Sequence, residues 1–254
     1  MNQQKPLVSI LLPVFKSEQF LEECLWSLSS QNYPNIEIVA LVDYLGDDSL
    51  KILRKHKKID KRLRIYKNPQ RYGLPATLNR LMKLSRGEFI AFMDPNGISL
   101  KSRISKQVAF LINNPKIAAV GTETTLIDEE SKVAEKSVFP TTHDEIYKNL
   151  ITGVSMKFET VVVDKTRLPK DILRFKKDTH YPFLFAEVFV RIGQYKELAN
   201  LPNRLVLTRQ ISKQNKRLIN VGKKLTFIKL LFESTTSYEY KPSIRSILRV
   251  AGSF

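Results

Sequence analysis

The chain has 254 residues, 43% hydrophobic and 26% charged, with one cysteine and a formal charge of +17 from 42 Lys and Arg against 25 Asp and Glu. This composition excludes a disordered polymer and a disulfide-stapled scaffold, and it supplies enough apolar residues for one large core. The positive excess points to phosphate-bearing partners, whether nucleotide, nucleic acid or anionic lipid, without choosing among them.

The opening, MNQQKPLVSILLPVF, carries an apolar run too short for a membrane span and without the small-residue cleavage site of a signal peptide. A soluble, cytoplasmic protein with an early strand is expected. VSILLP (8–13) is rich in branched residues and closed by Pro, the pattern of a strand buried on both faces. In SEQFLEECLWSLSSQ, Ser17 stands where a helix cap belongs, and Phe20, Leu21, Cys24, Leu25 and Leu28 recur at helical spacing, which makes Cys24 a core residue. IEIVALV then reads as a strand and DDSLKILRKHKK as a helix.

The alternation continues through LRIYKN, LPATLNRLMKLS, EFIAFMD, SRISKQVAFLINN and IAAVGT. Strands alternating with helices of this length predict right-handed crossovers and an open α/β fold, its mostly parallel sheet flanked by helices. From about Thr122 the rhythm breaks. TTLIDEESKVAEKSVF predicts a hairpin around Asp128 to Ser131, TTHDEIYKNLI opens with a helix cap, and YPFLFAEVFVRIGQY fits a buried helix or a strand. This organisation predicts one domain over 1–210, with a regular half to residue 121 and a less regular α+β half over 122–210, followed by an extension over 211–254. In that extension KQNKRLINVGKKLTFIKLLFE mixes Lys and Arg with Leu, Ile and Phe. It fits a basic amphipathic helix on a membrane surface, and equally a terminal helix packed on the domain with its lysines solvated.

Ligands of open parallel sheets bind beyond the carboxyl ends of the strands. Asp43 ends the second strand and Asp94 the fourth, so both are expected at one edge; either residue type also serves as a plain helix cap. Lys101 and Arg103 are expected to be solvated in the first turn of a helix. The three histidines, His56, His143 and His180, lack metal-ligand spacing, and no nucleic-acid-binding motif accompanies the basic charge, so no specific nucleic-acid partner is expected.

The order and spacing of VSILLPVFKSEQFLEECLWSLSSQNYPNIEIVALVD, of KNPQRYGLPATLNRLMKLSRGEFIAFMDPNGISLKSRISKQVAFLINNP and of ELANLP resemble the family 2 glycosyltransferases and their GT-A fold, over Leu7 to about Pro202. The resemblance implies transfer of a sugar from a nucleoside diphosphate donor, with a divalent metal (Mg²⁺ or Mn²⁺), to a hydroxyl of a glycan, lipid or protein. It places Pro13, Val14, Phe15, Asp43, Arg71, Gly73 and Asp94 at the nucleotide-sugar site. The family's Asp-x-Asp-Asp stands here as Asp94, Pro95, Asn96 and Gly97, so the implied metal ligands are Asp94 and Asn96, and the apolar Val42 precedes Asp43. Because residues i and i+2 of an extended chain face the same way, Asp94 and Asn96 are expected to address one ion, with Pro95 favouring the extended form. An amide in place of a carboxylate removes a unit charge from that ion's shell.

Inverting transfer also needs a base for the acceptor's proton. The family's Glu-Asp pair falls on Leu184 and Phe185 in an ungapped alignment, while a gap brings Glu187 to the glutamate. Glu187, among Phe183, Phe185, Val188 and Phe189, is therefore the candidate base beside Asp94, with Asp178 and His180 weaker. Pairing of Glu187 with Arg191 on a helix is its structural alternative. Two functions follow: an active glycosyltransferase in polysaccharide or glycoconjugate assembly, or a catalytically impaired GT-A module acting as scaffold or regulator.

Overall fold

The computed structural model describes residues 5–44, 46–152, 155–177, 183–210 and 219–251, with only the backbone described at 219–226 and 249–251. In chain order these form β1 (Val8–Val14), α1 (Leu21–Ser29), β2 (Ile36–Val42), α2 (Ser49–Ile59), β3 (Leu63–Lys67), α3 (Leu74–Leu84), β4 (Phe89–Phe92), β5 (Ile98–Ser99) and α4 (Arg103–Asn113). There follow β6 (Ile117–Ile127), β7 (Val133–Lys136), α5 (His143–Lys148), β8 (Val162–Asp164), α6 (Phe183–Gly193), β9 (Glu197–Arg209), α7 (Ile219–Ser237) and α8 (Ile244–Ala251).

The strands join one sheet in the order β3-β2-β1-β4-β8-β6-β9-β5, with β7 paired to β6. Strands β1, β2, β3, β4, β6 and β9 run one way, and β5, β7 and β8 run against them. The sheet is therefore largely parallel, as the alternation requires. The crossover from β4 to β6 leaves a gap that β8 later fills from the opposite direction, which the sequence rhythm does not announce.

Two cores follow from the period of two along each strand. Leu11, Val39, Leu41, Ile90 and Phe92 point to the side covered by α3 and α6. Ile10, Leu12, Ile38, Ala40 and Ala91 point to the side covered by α1, α2 and α4. Such strands read as unbroken apolar runs because both faces are buried. Cys24 lies in the second core, fully buried.

The less regular half forms as expected around the Asp128 to Ser131 hairpin, with longer strands than the rhythm suggests and one open choice settled. Strand β6 continues through Thr122 to Ile127, β9 extends to Arg209, and the ambiguous apolar segment is helical from Phe183 to Gly193. The Ser17 hydroxyl does not cap α1 but donates to the Phe15 carbonyl at 3.1 Å, and the Ser17 carbonyl accepts the Leu21 amide instead. Helix α7 lays Phe227 and Leu230 into the core beside α6, and the Phe227 ring lies 5.8 Å from that of Phe183. It leaves Ile228 and Phe232 exposed, so the extension is packed on one side and apolar on another. No helix among the described residues is long and apolar enough to cross a membrane.

Candidate functional site

At the carboxyl edge of β1, β2 and β4 a cleft of about 320 Å³ opens, lined by Pro13, Val14, Phe15, Asp43, Arg71 and Gly73 on one side and by Asp94, Pro95 and Asn96 on the other. Every residue that the sequence singled out for a nucleotide sugar or a metal thus lines one space, although they span more than eighty positions. The alternation explains this: each loop that follows a parallel strand emerges at the same edge.

Asp43 organises one wall. Its Oδ1 accepts Asn68 Nδ2 at 2.6 Å and the Tyr72 amide at 2.9 Å, and its Oδ2 accepts the Gly73 amide at 2.7 Å. Gly73 precedes α3 with φ 83° and ψ 167°, a region that side chains oppose. The carboxylate therefore fixes the turn that carries Arg71 and Gly73, and keeps one acceptor position for a ligand. At the rim the Arg71 guanidinium lies 4.4 Å from the centre of the Phe15 ring, a cation–π contact that leaves its charge facing solvent.

The opposite wall is the Asp94 to Gly97 turn. Here the chain is not extended: the Gly97 amide closes on the Asp94 carbonyl at 3.0 Å, and the Asn96 amide donates to Asp94 Oδ1 at 2.7 Å. Pro95 occupies the second turn position, where its fixed φ is favoured. A turn, rather than strand alternation, brings Asp94 and Asn96 together. A Cβ on Gly97 would lie 3.0 Å from the Leu207 carbonyl, so glycine lets the turn sit on β9.

Arg103 corrects another expectation, because it is fully buried rather than solvated, while Lys101 is exposed. Its guanidinium donates to the Phe92 carbonyl at 2.8 Å and to Gln107 Oε1 at 3.1 Å. Gln107 Nε2 in turn donates to the carbonyls of Val120 and Thr160 at 2.7 and 2.8 Å. Burial pulls the Arg103 pKa down to about 10, against the opposing pull of Glu159. From the far end of β9, Arg209 Nε reaches the Asn96 carbonyl at 3.3 Å while the same guanidinium pairs with Glu23 on α1 at 2.5 Å. Neither arginine's supporting role is visible from residue type and spacing.

Glu159 completes the acidic content of the cleft. It sits in a short 3-10 turn, Phe158–Thr160, and is 6% exposed. Asp94 is exposed at the cleft, with its carboxyl crowded by surrounding protein atoms; that crowding, and then the negative charge of Glu159, raise its pKa. Lys157, 3.5 Å from Glu159, offsets part of that charge, and the side-chain oxygens of Asp94 and Asn96 are of the hard kind that Mg²⁺ and Mn²⁺ take. Among the described residues no three His, Cys, Asp or Glu side chains cluster as a metal site. The residues that could hold such an ion are thus one carboxylate, Asp94, and one amide, Asn96, with Glu159 on the same cleft.

Glu187 does not line the cleft. It is 1% exposed on α6, and its Oε1 lies 2.8 Å from Lys176 Nζ and 3.9 Å from Arg191 Nε. Lys176 also reaches Glu233 on α7 at 2.7 Å, so Glu187 belongs to the joint between α6 and α7. The neighbour that does reach the cleft is Phe185, whose ring stacks face to face on Phe158. Asp178 and His180 lie outside the described residues. His143 Nδ1 accepts the Leu198 amide at 3.1 Å and His56 is buried against Ser29, both structural positions.

Residues 9–166 match the model of glycosyl transferase family 2. An uncharacterized glycosyltransferase of Haemophilus influenzae is 28% identical over 249 residues, covering 94% of this chain and 76% of its own length. An Escherichia coli enzyme, the UDP-Glc:alpha-D-GlcNAc-diphosphoundecaprenol beta-1,3-glucosyltransferase WfgD, is 26% identical over 180 residues, or 70% of this chain and 68% of its own. Among solved structures, S. aureus TarS in complex with UDP-GlcNAc superposes with a TM-score of 0.72 at 18% identity, over 90% of this chain and 66% of that one. The mannosyltransferase PcManGT of Pyrobaculum calidifontis with GDP-Man and Mn²⁺ gives 0.64 at 14% identity, over 91% and 64%. The chain thus spans just under two thirds of each of those two solved chains, and at such identities the likeness shows the fold.

Proposed function

The chain belongs to glycosyl transferase family 2, and on that basis we propose that it transfers a sugar from a nucleoside diphosphate donor to a hydroxyl of a glycan, lipid or protein acceptor. The observation that carries the reading is the convergence of Pro13, Phe15, Asp43, Arg71, Gly73 and the Asp94 to Gly97 turn on one cleft at the carboxyl edge of the sheet. Phe15 and the Asp43-held turn would take the nucleoside, and Arg71 would face the diphosphate.

A divalent ion, when bound, supplies positive charge to the leaving diphosphate. Asp94 and Asn96 are the residues that would hold it, and the Mn²⁺ complex of PcManGT supports the reading. This chain's own contribution is to bind and orient the donor against the Phe158 and Phe185 rings. Glu187 can serve as base only by leaving Lys176, which its ion pair opposes.

The lipid-linked acceptor in the name of WfgD supports an acceptor at a membrane surface. So does the extension, where Ile244 and Leu248 on α8 are 76% and 67% exposed beside Lys241 and Arg245. In this reading residues 1–210 act as the transferase domain and the extension as its contact with anionic lipid, from the cytoplasmic side.

Calorimetric titration with UDP-glucose, UDP-GlcNAc and GDP-mannose, each with and without Mn²⁺, tests the reading. Binding that needs Mn²⁺ and disappears in Asp94→Ala is expected. Absence of binding to every donor under both conditions would instead favour a non-catalytic module.

A further inference from the structure

Behind the cleft lies a second cavity of about 390 Å³, largely apolar, walled by Leu126, Phe139, Leu150, Met156 and Phe189. The two spaces share three residues, Phe158, Glu159 and Phe185. Of these only Glu159 can take a proton. The aromatic pair and the buried carboxylate therefore form the partition at which a donor on one side and an acceptor on the other would meet.

The carboxylates of the cleft, and Glu187 on α6, differ in how far protein donors occupy them. Asp43 is held by three donors within 2.9 Å, Glu187 by Lys176 at 2.8 Å, and Asp94 Oδ1 by the Asn96 amide at 2.7 Å. Among the described residues the partners of the Glu159 carboxylate are looser: Lys157 Nζ at 3.5 Å and the Thr208 hydroxyl at 3.4 Å. Its backbone is nevertheless fixed, because the Thr160 carbonyl accepts Gln107 Nε2, and the Thr160 and Val161 amides close on Lys157 and Phe158. A carboxylate that is buried, rigidly placed and not engaged by a short ion pair has the properties a general base needs.

We propose that Glu159, rather than Glu187, is the base of the transfer, an inference that rests on the glycosyltransferase reading above. Glu159 takes the proton of the acceptor hydroxyl as the acceptor oxygen bonds to the anomeric carbon. The bond from that carbon to the diphosphate oxygen breaks, and its electron pair leaves with the nucleoside diphosphate.

The test uses the full chain and whichever of UDP-glucose, UDP-GlcNAc and GDP-mannose it binds, with donor hydrolysis as the readout and water as acceptor. Glu159→Gln is isosteric and is expected to bind donor within about threefold of wild type, while kcat for hydrolysis falls by about a hundredfold or more. Glu159→Asp is expected to recover part of that loss, which a purely structural role would not produce. Undiminished hydrolysis in Glu159→Gln overturns the inference, as does hydrolysis lost in Glu187→Gln but kept in Glu159→Gln. Loss of Mn²⁺-dependent donor binding in Glu159→Gln also overturns it, by making Glu159 a metal ligand. A wild-type chain that binds and hydrolyses no donor sinks the transferase reading itself, whereas an active wild type with an unaffected variant sinks this inference alone.

Discussion

Asp43 Oδ2 accepts the Gly73 amide at 2.7 Å, across thirty residues of sequence, and so ties the end of β2 to the entrance of α3. Gly73 stands at φ 83°, which a side chain resists, and the hydrogen bond holds it there. Gly73→Ala is expected to cost about 1 to 3 kcal/mol of stability in urea unfolding. Asp43→Ala, which leaves the Asn68, Tyr72 and Gly73 donors without their acceptor, should cost about 2 kcal/mol and also abolish measurable donor binding. A variant of either kind with wild-type stability would show that the turn is not held as described.

Arg103 makes a second prediction sharp because its side chain has no contact with solvent. Replacing it with Met keeps the length but strands the Phe92 carbonyl and Gln107, so Arg103→Met should lose about 3 kcal/mol in urea unfolding. Since Phe92 leads into the Asp94 turn, donor affinity should fall along with stability. Had Arg103 been solvated, the same substitution would change stability by less than about 0.5 kcal/mol.

The regular half was legible because its physics is local: apolar runs bounded by turns give strands, and parallel strands bring Pro13, Asp43 and Asp94 to one edge whatever lies between. Beyond Thr122 the determinants are non-local. Glu159 lies in a 3-10 turn with no periodicity around it, and only the placement of β8 between β4 and β6 carries its turn to the cleft. Arg103 at the start of α4 has the sequence signature of a solvated first-turn cation, and its burial depends on the Phe92 carbonyl below it. For Glu187 the apolar neighbours suggested a base, but Lys176, eleven residues upstream and outside the helix, lies 2.8 Å from its carboxylate and ties it to the joint between α6 and α7.

Asp60 gives the clearest pH dependence. Burial alone would raise its pKa, but hydrogen bonds from Arg62, and then Ser29, outweigh burial and lower it from 3.8 to about 2. Arg62 is bidentate, with Nε 2.9 Å from Oδ1 and its terminal nitrogen 2.7 Å from Oδ2. A depressed carboxyl pKa stabilises the fold above the unfolded value, and that contribution is lost as pH falls through the folded value. Asp60→Asn should therefore cost about 2 kcal/mol at pH 7, with the difference from wild type shrinking between pH 4 and pH 2. A difference independent of pH over that window would refute the assignment.

The extension supplies the last test. Ile244 and Leu248 lie one helical turn apart on α8, both more than two thirds exposed, with Arg245 beside them and Lys241 just upstream. An apolar stripe flanked by cations suits the boundary between headgroups and acyl chains of an anionic bilayer. Co-sedimentation with vesicles containing anionic lipid should exceed that with neutral vesicles and should weaken as salt rises. Removing Lys241 or Arg245 should lower the binding constant about fivefold per charge, as expected for roughly 1 kcal/mol per cation at the surface. Ile244→Ser with Leu248→Ser should weaken binding further without altering donor affinity, since α8 is not part of the cleft lining. Equal pelleting with neutral and anionic vesicles, or binding indifferent to all four substitutions, would leave α8 with no role at the lipid surface.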